Sequence, residues 1–169
     1  MRSLKIAKEQ QRLDNLFKKI NKEIQKKSPE DSKPPDEYDF ELQAHWANYL
    51  CILVSGFLEN SISTIYIEYA KKKATPQIVN FVEKKLEKFQ NPKMEKIFQL
   101  MDSFDKKWGD QLRTKTEGEI KDAVNSIVDL RNRIAHGKFV NTTYITIKNY
   151  YQSSKKLLDV IEDILGFDK

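Results

Sequence analysis

WANYLCILVSGFLENSISTIYIEY, residues 46–69, is the stretch of sequence that decides the fold. Read as a helix, it is apolar on nearly every face, and helices of that kind lie inside a bundle rather than on its surface. We therefore predict a long buried helix over about residues 36–73. Gly56 within it could kink the helix or allow another helix to approach closely.

The rest of the chain predicts further helices around this central one. Apolar spacing and end signals indicate helices over about residues 3–27, from Thr75-Pro76, from Asn91-Pro92, over about 116–135 and over about 146–165. The polar residues 105–116 are predicted to be irregular and anchored by Trp108. The β-branched residues of 139–147 could form a short extended piece. The fold class expected is an all-α bundle of about five to six helices.

Length and composition fit one domain. The chain has 169 residues, of which 39% are hydrophobic, enough for one core. We expect a single domain over 1–169, with a basic N-terminal helix (1–27), a Pro-rich linker (28–36) and a core bundle (37–169). Residues 1–27 hold nine Lys or Arg against three Asp or Glu, whereas the formal net charge is +5. That helix is compatible with a phosphate-rich partner and equally with a solvated surface.

The sequence lacks the residues that several classes of function require. Two histidines and one cysteine cannot build a structural zinc site, and the five scattered glycines form no phosphate-binding loop. No metal or cofactor is therefore expected. Cys51, the only cysteine, lies in an apolar run and is predicted to be a buried, inert thiol. Without a signal-peptide pattern or about 18 uninterrupted apolar residues, the chain is expected to be soluble and cytoplasmic.

One polar segment interrupts these patterns, LRNRIAHG at residues 130–137. The apolar stripe of its helix runs through Ile120, Val124 and Ile127, and then places Arg131 where an inward-facing residue is expected. An inward guanidinium needs a carboxylate or a phosphate. Arg133 falls off the stripe and is predicted to be exposed.

His136 follows Arg131 by five residues, which would place the two about 140° apart on a continuous helix. Gly137 is suited to end the helix in a left-handed conformation, which would let His136 turn back toward Arg131. A structural ion pair for the arginine and a dipole contact for the histidine are the commoner roles of an isolated pair of this kind.

Arg131-Asn-Arg-Ile-Ala-His136, which closes a helix late in an all-α chain, resembles the signature of the HEPN superfamily. Ribonuclease members carry Arg, four to six residues and then His, often with a polar residue after the Arg, as Asn132 is here. The resemblance covers about residues 38–165. The run SGFLEN at 55–60 is similar to stand-alone prokaryotic HEPN proteins.

This resemblance implies a metal-independent endoribonuclease, with a toxin or antiphage-defence role by family analogy. His136 would be general acid or base, Arg131 would bind the scissile phosphate, and Asn132 would orient either one. Family members commonly form homodimers in which two motifs face each other across a cleft. The implied partners are RNA, a second copy and a possible antitoxin or regulator, with no membrane.

Lys138, Arg133 and Glu59 are further candidate residues. Superfamily toxins that are paired with a nucleotidyltransferase carry Tyr two positions after the motif histidine, where this chain has Lys138. Lys138 and Arg133 could contact RNA phosphates or could simply be solvated. Glu59 interrupts an apolar run and is predicted to support the site, with Arg131 as one suggested buried partner and a purely structural pair favoured over catalysis. The alternative to an enzyme is a catalytically silent HEPN-like module that binds RNA or a partner protein.

Overall fold

The computed structural model describes residues 3–26 and 37–167, and within that part of the chain it contains seven α-helices and no strand. They are α1 (Leu4–Lys26), α2 (Glu37–Lys73), α3 (Pro76–Leu86), α4 (Met94–Phe104), α5 (Lys106–Thr116), α6 (Glu119–Ala135) and α7 (Tyr144–Ile164). The all-α prediction is confirmed, with more helices than expected. The predicted linker at 28–36 lies outside the described residues.

The central position of α2 is confirmed. It packs against α1, α3, α6 and α7, and Leu50, Val54, Leu58 and Ile62 on it are fully buried. A β-carbon placed on Gly56 would meet nothing within 4 Å, so the expected close approach of another helix at this glycine is wrong. The α2 helix continues through Gly56 without interruption.

By length and composition alone, α2 could also cross a membrane. An 18-residue window within Phe40–Lys73 has a mean hydropathy of 1.5, and 56% of that window is buried inside the protein. Burial on this scale, with four helices packed around it, is what the core helix of a helical domain requires.

The α1 helix contributes to the same core. Ile6, Leu13 and Ile20 on its inner face are buried. The ring of Phe17 stacks on that of Tyr151 from α7 at 5.0 Å between centroids, and Tyr144 donates its hydroxyl hydrogen to the carbonyl oxygen of Phe17 at 2.9 Å. The basic helix is therefore anchored through one apolar face, and its charged face points outward.

The prediction of an irregular segment at 105–116 is wrong, because these residues form α5. Asp105 caps its first turn, since the carboxylate accepts a hydrogen bond from the backbone N–H of Lys107 at 2.7 Å. Leu112 is fully buried, and Trp108 packs edge-on against Tyr69 of α2. Trp108 is the expected anchor, but it anchors a helix.

Two boundaries also differ from the predictions. Residues 139–143 form no strand, and α7 begins at Tyr144, because the Thr143 hydroxyl caps it by accepting from the N–H of Thr146 at 3.1 Å. The α4 helix begins at Met94 with Lys93 at its N-cap. Asn91 does not open that helix; its φ of 49° places it in the preceding turn.

Candidate active site at the end of helix α6

The end of α6 has the geometry predicted for Gly137. This glycine has a φ of 72°, and its N–H donates to the carbonyl of Ile134 while the N–H of Lys138 donates to that of Arg133, both at 3.0 Å. These two hydrogen bonds form a Schellman motif. His136 is the C-cap residue, with φ −88° and ψ 18°, so the chain leaves the helix immediately after the histidine.

Arg131 lies one turn before that end, on the side of α6 that faces the core. Val124 and Ile127 on the same stripe are fully buried, and Arg131 itself is half-buried. A guanidinium N–H of Arg131 donates to Oδ1 of Asn132 at 3.4 Å. It makes no ion pair with any residue in the described part of the chain, so the structural ion pair considered above has no partner there.

The positive charge of Arg131 acts on one buried titratable group, the thiol of Cys51 on α2. Burial raises the pKa of Cys51 to about 12, and the positive charge of Arg131 opposes that shift. The thiol donates a weak hydrogen bond to the carbonyl oxygen of Ile127 at 3.7 Å. The predicted burial of Cys51 is confirmed.

His136 is exposed, and its side chain has no hydrogen bond or ion pair within the described residues. Its backbone N–H donates to the carbonyl of Asn132 at 3.1 Å. No hydrogen bond joins the side chains of Arg131 and His136, so the predicted return of the histidine toward the arginine stays a prediction. The two residues lie on the last turns of α6, and the imidazole of His136 is exposed to solvent.

Arg133 and Lys138 flank this turn on the solvent side, and both are exposed. Neither forms an ion pair within the described part of the chain. The last turn of α6 and the residue after Gly137 therefore carry three exposed side chains, Arg133, His136 and Lys138, while Arg131 is half-buried. This arrangement suits a polyanion better than a neutral ligand.

The suggested pairing of Glu59 with Arg131 is wrong. The half-buried carboxylate of Glu59 accepts a hydrogen bond from the backbone N–H of Asn91 at 2.7 Å. It thereby holds the turn between α3 and α4, where Asn91 has positive φ. This is the structural role that the sequence favoured for Glu59, with a backbone partner.

Two residues of α2 that the sequence did not assign to the site hold the segment after the motif. Asn48 donates its amide hydrogens to the carbonyls of Ala44 at 2.8 Å and of Val140 at 3.0 Å. The ring of His45 meets that of Phe139 edge-on, with centroids 5.6 Å apart. The signal that could have revealed Asn48 was a polar side chain on an otherwise apolar helix.

Among the described residues, no group of three or more His, Cys, Asp or Glu side chains is placed to hold a metal ion. The chemistry available at the end of α6 is therefore that of a guanidinium, an amide and an imidazole. Such a set can bind a phosphate and move protons.

An all-helical bundle with Arg-x4-His at the end of its sixth helix fits the resemblance to HEPN domains. Comparison with family models bears this out: the model described as RiboL-PSP-HEPN matches residues 11–166, which extend from within α1 past the end of α7. The chain belongs to this family. No curated protein and no solved structure matches it.

Proposed function

We propose that this protein is a metal-independent endoribonuclease whose reacting groups are Arg131 and His136. The observation that carries the proposal is the pairing of a recessed guanidinium without a carboxylate partner and an unbonded imidazole at one helix end, within a family related to RNA cleavage. An unpaired guanidinium of this kind is suited to a phosphate.

The proposed reaction is an internal transfer at the phosphodiester. An imidazole accepts the proton of the ribose 2′-hydroxyl, and the 2′-oxygen then bonds to phosphorus. The bond from phosphorus to the 5′-oxygen breaks, and the 5′-oxygen receives a proton from an imidazolium. Arg131 neutralises the charge that develops on the non-bridging oxygens. The products are a 2′,3′-cyclic phosphate and a 5′-hydroxyl, and DNA is not cleaved.

Asn132 would hold the Arg131 guanidinium in place, since it accepts its hydrogen bond. Lys138 and Arg133 would contact phosphates next to the scissile one, because both are exposed beside His136. One histidine per motif cannot be base and acid in the same step. A homodimer in which two motifs face each other would supply both groups, and we propose that assembly.

We further propose that the protein acts in the cytoplasm as a toxin or antiphage-defence effector, restrained by an antitoxin or another regulatory partner. This biological role rests on family analogy, which supports it less directly than the site supports the chemistry.

The test is cleavage of a labelled transfer-RNA pool in EDTA by the wild type and by His136→Ala. Gln111→Ala is the control, because Gln111 is an exposed polar residue on a different helix, α5. We expect cutting by the wild type and Gln111→Ala, loss of at least about a hundredfold in His136→Ala, and cyclic-phosphate ends.

Cleavage that persists in His136→Ala, or 3′-hydroxyl ends, would contradict the mechanism. No cleavage by any variant, with RNA still bound, would favour the catalytically silent module. Light scattering on the active wild type tests the composite site, since a monomer that cleaves RNA would rule it out.

A further inference from the structure

An open groove of about 730 Å³ runs between α1 and α2. Its floor is the outer face of α2, where Tyr49, Ile52, Leu53 and Gly56 lie, and its wall on the other side is α1. Tyr49 and Ile52 are 49% and 42% exposed, so this apolar floor is open to solvent. The proposed reaction at the end of α6 does not use these residues.

The wall of the groove carries a row of positive charge. Lys5, Lys8, Arg12, Lys19 and Lys22 follow one another at the alternating three- and four-residue spacing that keeps side chains on one helix face, with Asn15 at the remaining place. All five cations are exposed, and none forms an ion pair within the described residues. We call these five residues the basic stripe.

Two cations of the basic stripe, Arg12 and Lys19, line the groove together with Asn15. Glu9 also lines it, so the two cations outnumber one carboxylate there. Cations that remain unpaired along one helix face attract a chain of phosphates, whose bound counterions they displace. A second copy would bring an identical basic stripe instead, so charge complementarity favours a polyanion as the occupant.

The floor suits the flat face of a nucleobase. The ring of Tyr49 is held by an edge contact with Trp46, at 6.2 Å between centroids. Two turns further along α2, nothing lies within 4 Å of a β-carbon built on Gly56, so the floor of the groove is open there as well. Aromatic rings in basic grooves bind single-stranded nucleic acids by stacking, whatever the base.

We propose that the groove between α1 and α2 binds single-stranded RNA, with phosphates along the basic stripe and a base stacked on Tyr49. The strand would continue toward the end of α6, since Tyr49 lies one turn after His45 on α2, and the ring of His45 meets that of Phe139, two residues after Gly137. The inference deepens the proposed function by placing its substrate and rests on it for the cleavage step, but binding can be tested alone.

The experiment measures fluorescence anisotropy of a labelled 2′-O-methyl oligouridylate of about 12 nucleotides, which cannot be cleaved by the proposed route. Arg12→Glu with Lys19→Glu should weaken binding at least roughly tenfold and reduce the salt-dependence slope by about 1.4, for two lost phosphate contacts. The control is Lys88→Glu with Lys107→Glu, which makes the same charge change at two exposed lysines, one in the turn after α3 and one on α5, that form no ion pair within the described residues. It should bind almost as the wild type does.

Tyr49 gives an independent variant without a charge change. Tyr49→Ala should weaken binding roughly fivefold or more, whereas Tyr49→Phe, which keeps the ring, should retain it. Circular dichroism checks that each variant is folded.

Equal binding by the groove pair and the control pair would overturn the inference. So would a Tyr49→Ala variant with unchanged RNA affinity but a lower mass by light scattering, since the groove would then hold a second copy. If the wild type binds RNA through the groove but cleaves none, the proposed function fails and this inference stands.

Discussion

The thiol of Cys51, at the centre of α2, donates a hydrogen bond to the backbone carbonyl oxygen of Ile127 on α6 at 3.7 Å. Ile127 lies one turn before Arg131 on the same face of α6. The contact therefore joins the central helix α2 to the part of α6 that precedes Arg131, the residue proposed to bind phosphate. Close packing of α2 against α6 at this point sets the position of the Arg131 backbone relative to the core.

The first prediction concerns the reactivity of Cys51. Burial raises its pKa from the ordinary 9.0 to about 12, and only the thiolate is nucleophilic. At pH 8 the native protein should react with a thiol reagent far more slowly than the protein in urea. Equal rates in the two states would contradict the burial of this side chain.

The same shift makes a pH-dependent contribution to stability. The unfolded chain ionises the thiol near pH 9.0, whereas the fold keeps it neutral up to about 12. The contribution is fully present below pH 9 and is lost as the pH rises through that window. The stability of the wild type should therefore fall more than that of Cys51→Ser between pH 9 and 12, as measured by urea unfolding.

The second prediction concerns the glycine that ends α6. Gly137 has a φ of 72°, and a β-carbon in this region costs about 1–2 kcal/mol. Gly137→Ala should lower the melting temperature by roughly 2–8 °C, and Gly137→Asn should lower it less, because Asn adopts this conformation more readily. Gly56→Ala is the control, since its added methyl group enters open space within a helix; that variant should be neutral or stabilised. Equal losses at both glycines would refute the assignment.

The third prediction separates a structural Glu59 from a catalytic one. Removal of the acceptor in Glu59→Ala leaves the half-buried N–H of Asn91 without its partner, at a cost of about 1–3 kcal/mol. Glu59→Gln keeps an acceptor oxygen and should lose less. Urea unfolding gives the stabilities, and the cleavage rate of each folded variant should equal that of the wild type. A large loss of cleavage rate in a Glu59→Gln variant that is still stable would indicate a catalytic role for this residue.

The fourth prediction concerns the ion pair between α4 and α5. Arg113 donates two hydrogen bonds to the Asp102 carboxylate, at 2.9 and 2.5 Å, and these hydrogen bonds hold the pKa of Asp102 below its ordinary 3.8. Since the native pKa is lowered, the pair stabilises the fold above pH 3.8 and is lost as the pH falls below that value.

Asp102→Asn should therefore be less stable than the wild type at pH 7, and the difference should shrink as the pH falls below 3.8. Asp110→Asn is the control: Asp110 lies farther from the same arginine, at 3.6 Å, and is more exposed, so its effect should be smaller. Thermal unfolding at a series of pH values measures both. A difference for Asp102→Asn that does not change with pH would contradict an electrostatic origin.

The sequence predicted the helices whose signals are local. The run at 46–69 predicted α2 because its apolar residues leave no face for solvent, and the spacing on α6 predicted that Arg131 would lie on the inward side. Gly137 was predicted to end that helix, because glycine enters the left-handed region at little cost. The end signals were weaker elsewhere: Asn91-Pro92 resembled a helix start, but the turn there depends on the distant Glu59.

The sequence by itself determined the all-α class, the central helix and the motif on α6, because periodicity and glycine conformation act over a few neighbouring residues. Only the tertiary structure decided that residues 105–116 form a helix, since that helix depends on burial of Leu112 and on the ion pair from Arg113 to Asp102. It also decided that Glu59 bonds to Asn91 and that Asn48 holds Val140. Each of these contacts joins residues at least 11 positions apart, and a partner at that separation is chosen by how the helices pack rather than by local sequence.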